Sequence, residues 1–354
     1  MTEFGKLLEA HALRYSAMQP QDAVKLAYQS EFGGGHMIGD VEACKAYLAE
    51  EYAATVQDAD TPLIEDIGGG MIRLQLAALD AEGITPAQAA RLFIASANQP
   101  RGTREGLLAK LECIREQAEA GVFGFDAAEL AAYLQAYAAA GYPAVRHSEQ
   151  YRAAYQPAYR VIDRRWMRML PLMKKIDALQ IQQERVCLAI EGRAASGKTT
   201  LASRLAALYG ADCCVIHMDD FFLPMELRTE ARYAQAGGNI HYERFMEQVA
   251  SHLQEDSITY APFDCSVGDY GAKVTQKLCP LTVIEGSYSM HPYFRDPYDL
   301  HVFLELAPAE QKQRILQRNG PEWYVDFEEK WIPMEEAYFA ACKVSQCCDL
   351  ILRV

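Results

Sequence analysis

The sequence predicts an α/β fold, a parallel sheet with helices on both faces, in the second half of the chain, preceded by a separate, mostly α-helical domain. Three observations lead there. At 354 residues the chain exceeds one ordinary domain, so two domains are expected. From residue 185 onward short apolar runs alternate with stretches of helical periodicity, the pattern of strands joined by crossover helices. Before about residue 145 the apolar residues recur at intervals of three and four, with no alternating runs between them.

In the first half, that spacing predicts helices over Thr2–Tyr15, Pro20–Gln29, Asp40–Tyr52, Ile72–Ala81, Pro86–Ala97, Arg104–Ala120 and Asp126–Ala140. Asp40 and Asp126 suit N-cap positions, where a carboxylate accepts from a free first-turn N–H, and Pro20 and Pro86 suit the first turn, where the missing N–H is not needed. Residues 1–145 therefore read as an all-α domain. Two glycine triplets interrupt it, 33–35 and 68–70. Little beyond the triplets matches, so they read as punctuation between helices rather than as a repeat. The sharper reading is that the first of them, with Glu31 before it and His36 beside it, offers backbone amides or an imidazole to a ligand. Residues 146–184, with Tyr151, Tyr155, Tyr159, Arg160, Arg164, Arg165 and Arg168, read as a helical connector interrupted at Pro157 and Pro171.

The domain over 185–354 reads as strands at Val186–Ile190, Cys213–His217, Leu281–Ile284, His301–Leu306 and Asp349–Val354, with helices over Thr199–Tyr209, Tyr242–Gln254, Pro308–Gln317 and Glu328–Val344. In such sheets ligands sit outside the carboxyl ends of the strands, and that is where the conspicuous polar residues fall.

Composition narrows the classes of function. The formal net charge of -14 argues against a nucleic-acid-binding surface. The most apolar helical stretch, Leu130–Val145, is too short to span a bilayer and contains Gln135, Gly141 and Pro143, so no membrane partner is expected. Ten cysteines without C-x-x-C spacing or a signal peptide read as reduced thiols of a cytoplasmic protein. Self-association into a homo-oligomer is left open.

The chemistry centres on Gly192-Arg193-Ala194-Ala195-Ser196-Gly197-Lys198-Thr199-Thr200, a G-x-x-x-x-G-K-[ST] loop between a strand and a helix. A loop that wraps a triphosphate must turn backbone N–H groups inward, which the glycines permit. Lys198 would meet the β and γ phosphates, and the Thr199 hydroxyl would be a ligand of the bridging Mg²⁺. After the second strand, Asp219 and Asp220 are placed to take a proton from an attacking hydroxyl or to hold Mg²⁺. After the third, Glu285 is delivered as a second acid near the metal. Arg314 and Arg318 lie four apart on one helix face and could swing over the phosphates.

The blocks GRAASGKTT, MDDFF, GNIHYERF, VIEGSY and RILQRNG resemble, in order and interval, those of the uridine kinase group of P-loop kinases, relatives of phosphoribulokinase and bacterial pantothenate kinase. The resemblance covers about residues 185–354; ordinary uridine kinases have no counterpart of the N-terminal half. It implies ATP and Mg²⁺ as cofactors and a small-molecule substrate. Asp219 would be the catalytic acid/base, Thr199, Asp219 and Glu285 the metal residues, and Arg314 and Arg318 lid arginines. It also points to Asp220, His241, Arg244 and Asp264 as substrate-side positions. His241 stands where the group offers an aspartate to ribose hydroxyls, so a nucleoside acceptor does not carry over. An imidazole beside Arg244 would instead suit an anionic or polar acceptor, unless His241 only caps the helix starting at Tyr242. The expectation is an ATP-dependent small-metabolite kinase. The alternatives are a uridine/cytidine kinase and an ATP-binding sensor whose helical half engages a partner.

Overall fold

The computed structural model describes residues 2–35 and 38–354 and divides into two compact units, Met1–Met173 and Lys174–Val354.

The first unit runs α1 (Glu3–Arg14), α2 (Pro20–Phe32), α3 (Val41–Ala54), β1 (Ile64–Gly68), β2 (Met71–Gln75), α4 (Pro86–Ala97), α5 (Arg104–Glu119), α6 (Ala127–Ala139), α7 (Glu149–Tyr155) and β3 (Tyr159–Asp163). The expected caps are present: Asp40 accepts from the Ala43 N–H, and Asp126 forms a capping box with Glu129. Helices α1, α2, α5 and α6 close on a core that includes Leu8, Leu26, Leu107, Ile114 and Leu130.

The expectation of an all-α domain is corrected by a three-stranded antiparallel sheet, ordered β1-β2-β3. Where a helix was expected over Ile72–Ala81, the chain forms β2 and then a short 3₁₀ turn at Leu76–Ala78. Ile72, Leu74 and Leu76 also fit a period of two. The glycines before them supply a two-residue hairpin turn that commits the segment to a strand. The connector, expected to be helical, contains β3, whose register on β2 runs from Met71↔Asp163 to Gln75↔Tyr159. Pro157 lies past the end of α7, whereas Pro171 sits within α8 (Leu170–Gln180) and breaks nothing.

The two glycine triplets do different work. The first follows α2; the second turns the β1–β2 hairpin, and there Gly69 (φ +62°) lies so close to α2 that a Cβ would come within 2.4 Å of the Ser30 carbonyl oxygen. Glu31 accepts from the Thr103 N–H and from Lys110 Nζ, each at 2.8 Å, so its carboxylate is engaged within the fold. His36 lies outside the described residues.

The second unit continues with β4 (Val186–Gly192), α9 (Lys198–Tyr209), β5 (Cys213–His217), α10 (Glu230–Tyr233), α11 (Tyr242–Gln248), β6 (Ser257–Tyr260), β7 (Phe263–Asp264), β8 (Asp269–Tyr270), β9 (Val274–Lys277), β10 (Leu281–Glu285), β11 (Leu300–Glu305), α12 (Pro308–Asn319), α13 (Pro321–Asp326), α14 (Ile332–Cys342) and β12 (Leu350–Arg353). Its five-stranded sheet has the order β12-β11-β4-β10-β5 and is parallel throughout. β4 and β10 are buried along their whole length, as expected of strands covered on both faces. The antiparallel pairs β6·β9 and β7·β8, inserted between α11 and β10, were not legible as strands.

Candidate active site

All the elements of the site meet at the carboxyl ends of β4, β5 and β10. Register places Glu285 beside Ile190 on one side and His217 on the other, so a cross-strand pair brings the acid of one strand against the imidazole of the next. Gly192 ends β4 against β11, where a Cβ would lie 2.6 Å from the Leu304 carbonyl oxygen. The loop then turns through Ala195 in the left-handed region (φ +61°) and Gly197 (φ +94°) into α9. A non-glycine residue held there stores strain of the kind that collects at ligand sites.

Lys198 folds back over this loop. Its Nζ donates to the carbonyl oxygens of Gly192 (2.6 Å) and Arg193 (3.0 Å) and to Ser287 Oγ (3.2 Å), which fixes the ammonium beside the first turn of α9, whose N–H groups lack helical partners. Arg193 itself pairs with Glu336 of α14. Thr199 Oγ1 donates to Glu285 Oε1 (2.9 Å), and His217 Nδ1 meets the same oxygen at 2.6 Å. That bond is the main reason the His217 pKa is raised.

Asp219 differs from every acid around it, because its carboxylate has no hydrogen-bond partner among the described residues. It is reachable by solvent, yet the protein packed around it raises its pKa; Glu285 adds to the rise and Lys198 opposes it. Asp220 is tied instead to the Tyr260 hydroxyl at 3.2 Å.

Among the remaining expected residues, Arg314 reaches the loop, with Nη1 3.4 Å from the Ala195 carbonyl oxygen and Nη2 on Glu310. Arg318 does not; it bonds Asn319 and lies over Phe327. Asp264 accepts from Ser266 in a turn and is exposed. His241 makes no cap bond to α11; its ring meets the Tyr270 hydroxyl, and burial lowers its pKa. Arg244 is buried, donates to the carbonyl oxygens of Asp220 and Ala261, and lies between the rings of Phe221 and Tyr270. The basic patch expected from His241 and Arg244 is weakened, since burial lowers the His241 pKa and two Arg244 nitrogens brace the carbonyl oxygens of Asp220 and Ala261.

Sequence reasoning missed two carboxylates behind the loop. Glu191, fully buried at the end of β4, accepts from the N–H groups of Gly192, Tyr288 and Met290 and from the hydroxyls of Ser289 and Tyr338. Burial pushes its pKa up to about 7, with Lys198 opposing. Glu335 of α14 accepts from the Ala194 N–H at 3.0 Å and from Ser287 Oγ. Together they lock the phosphate loop to the loop after β10, where Tyr288 holds φ +73°. An acid inside the apolar run of β4 was the one available signal.

The residues fit a nucleotide with its metal. Within the loop, Ser196 Oγ is buried without a partner among the described residues, and a Cβ at Gly197 would meet only open space, as a phosphate cradle requires. Among the described residues no group of three or more His, Cys, Asp or Glu side chains forms a metal cage. Mg²⁺ at phosphate sites takes one or two protein oxygens, the rest coming from phosphate and water, and Thr199 with Glu285 offers such a pair.

Fold and loop together define a P-loop α/β domain preceded by a second, mostly helical unit. No family model matches the chain. It is 28% identical over 207 residues to the bifunctional alpha-galactosidase/sucrose kinase AgaSK of Mediterraneibacter gnavus, a match covering 52% of this chain and 21% of that protein; the chain thus spans about a fifth of the relative's length. It also resembles a possible uridine kinase from Bacillus stearothermophilus (22% identity, TM-score 0.39, 51% of this chain and 99% of that one). A further likeness is to D-glycerate 3-kinase from Cryptococcus neoformans var. grubii (14%, TM-score 0.36, 48% and 88%). At these scores neither structural likeness carries a functional argument. In the described chain no helix is long and apolar enough to cross a membrane.

Proposed function

We propose that the protein is an ATP- and Mg²⁺-dependent phosphotransferase acting on a hydroxyl of a small metabolite. The observation that carries this reading is the unpartnered Asp219 carboxylate at the end of β5, with Lys198 as its principal opposing charge. A carboxylate left free beside a phosphate loop is available to accept the proton of an attacking hydroxyl. Lys198 would hold the β and γ phosphates, Thr199 and Glu285 would hold Mg²⁺, and Arg314 would meet charge on the transferred group. Bound ATP supplies the phosphoryl group and Mg²⁺ neutralises its charge. Glu191 and Glu335 would act earlier, by keeping the loop in its receiving shape.

On the acceptor side the reading changes from the sequence expectation. The terminal nitrogens of Arg244 are engaged by carbonyl oxygens, its Nε is a buried donor without a partner among the described residues, and burial lowers the His241 pKa; one open N–H suits a hydroxyl oxygen, so a neutral hydroxylated compound fits better than an anionic one. The curated relative's name, which includes sucrose kinase, points to the same class. The test is acceptor-dependent ADP release by the purified protein over a panel of sugars, polyols, hydroxy acids and nucleosides. A neutral polyhydroxylated acceptor should stand out. Turnover confined to uridine or cytidine would establish a nucleoside kinase instead, and tight ATP binding with no turnover on any acceptor would favour a sensor.

A further inference from the structure

The first unit contains a cavity of about 850 Å³ that the phosphotransferase reading does not use. Its floor is one face of the β1-β2-β3 sheet, made by the cross-strand pairs Glu65↔Arg73 and Gln75↔Tyr159. A sheet face turned toward its own domain normally carries apolar side chains. Here Glu65 and Arg73 are 7% and 2% exposed. Arg73 donates to Glu65 Oε2 at 3.1 Å and to Gln29 Oε1 at 2.9 and 3.2 Å, and the Tyr15 hydroxyl donates to Glu65 Oε1. Burying an ion pair is a poor way to gain stability compared with an apolar pair of the same volume, so a buried, hydrogen-bonded ion pair in the floor of an open cavity calls for a use.

The wall supplies one. Tyr15, Tyr151 and Tyr155 form a mutual cluster, with ring centroids 4.8–5.3 Å apart. Tyr151 is 2% exposed and lines the cavity, and its hydroxyl has no hydrogen-bond partner among the described residues. That oxygen is not one of the fully enclosed unpartnered atoms, so it opens onto the cavity, where a ligand can reach it. The side-chain amide of Gln75, on the floor beside Tyr159, has no partner among the described residues either.

We propose that this cavity is a second ligand site, one that takes a neutral polyhydroxylated molecule of the sugar class. The unsatisfied groups are a hydroxyl and a carboxamide, each both donor and acceptor, which suits hydroxyl groups rather than a fixed charge. The tyrosine rings offer apolar surface for the C–H face of a sugar ring. The ionised side chains in the lining are Arg14 and Arg73 against Glu51, Asp58 and Glu65. Carboxylates outnumber guanidiniums, so a phosphorylated sugar is disfavoured. The size lies in the range of about 300–1,000 Å³ usual for small-molecule sites.

Calorimetric titration of the full chain without nucleotide, with D-glucose, D-fructose and sucrose as probes and glucose 6-phosphate and uridine as controls, tests the assignment. At least one sugar should bind saturably. Tyr151→Phe should weaken it by roughly 5-fold or more, the loss of a hydrogen bond, with the melting temperature unchanged or raised, since the hydroxyl has no partner in the fold. Gln75→Ala should weaken it comparably. No saturable sugar binding would overturn the proposal, as would preference for glucose 6-phosphate or uridine. Sugar binding that both variants leave untouched would also overturn it, because that ligand would be seated at the acceptor side of the other unit.

Discussion

The two units treat buried charge in contrasting ways. In Lys174–Val354 the acids that build the site arrive at or just past the carboxyl ends of the strands: Glu191, Glu285 and Asp219. In Met1–Met173 the charges lie within the strands, Glu65 in β1 and Arg73 in β2, bonded to each other, to Tyr15 just past α1 and to Gln29 of α2. A site at strand ends is held by backbone geometry and leaves one group, Asp219, unpartnered for chemistry. A polar sheet face is held by side chains that satisfy one another, so each of them bears on stability. Disturbing the first should therefore remove activity and spare the fold; disturbing the second should do the reverse.

The largest effect is expected from Lys198→Ala. Losing the ammonium should remove at least ~3 kcal/mol of transition-state stabilisation, read as loss of acceptor-dependent ADP release from a protein with an unchanged circular dichroism spectrum. Full turnover in a folded variant would break the phosphate-loop assignment. Arg73→Ala is the mirror experiment: stranding Glu65 should destabilise the first unit by about 3–5 kcal/mol, while ATP binding by the second survives. Scanning calorimetry with a nucleotide-binding assay would show both, and loss of ATP binding would mean that the contrast between units is false.

Acidity should separate the units further. His147 meets Asp22 Oδ1 at 2.9 Å and the Tyr159 hydroxyl on its other nitrogen; burial pushes its pKa down to about 4, with Arg73 and Lys25 adding to the fall and Asp22 opposing. A base whose pKa is depressed on folding stabilises above its unfolded value, about 6.5, and loses that contribution as pH falls toward 4. Glu191, raised to about 7, runs the other way. Its contribution is complete below the unfolded value of about 4.3 and is lost as pH rises through 7. Each is on the order of 1–3 kcal/mol. Between pH 4 and 7 the first unit's unfolding transition should rise in temperature relative to the second's, and a constant gap would contradict this. The smallest effect distinguishes the helix arginines: Arg314→Ala, which breaks a contact with the loop, should lower kcat by about 10-fold, and Arg318→Ala should leave it nearly unchanged. Equal losses would mean that α12 acts as a unit.

The same contrast explains what could be read from the sequence. Gly192 to Thr199 is contiguous and stands between a strand and a helix, so the chemistry of the loop could be inferred residue by residue, and the five strands of its sheet announced themselves as apolar runs. The first unit's sheet did not. β2 carries apolar residues that fit both periods, and β3 pairs with it from far along the chain. Glu335 was invisible because its partners, Ala194 and Ser287, belong to two distant loops. Arg244 looked like an anion receptor because spacing shows that an arginine is present but not that two carbonyl oxygens already hold it.

The central claim is that Asp219 takes the acceptor's proton, and the most direct measurement of it is the kinetics of Asp219→Asn on whichever acceptor the panel identifies. The side chain has no hydrogen-bond partner to lose, so the fold and the affinity for ATP should stay as they are while kcat falls by roughly 10²-fold or more; Asp220→Asn, which disturbs only the contact with Tyr260, should fall less. An Asp219→Asn variant that turns over at the wild-type rate, or that is impaired less than Asp220→Asn, would contradict the account.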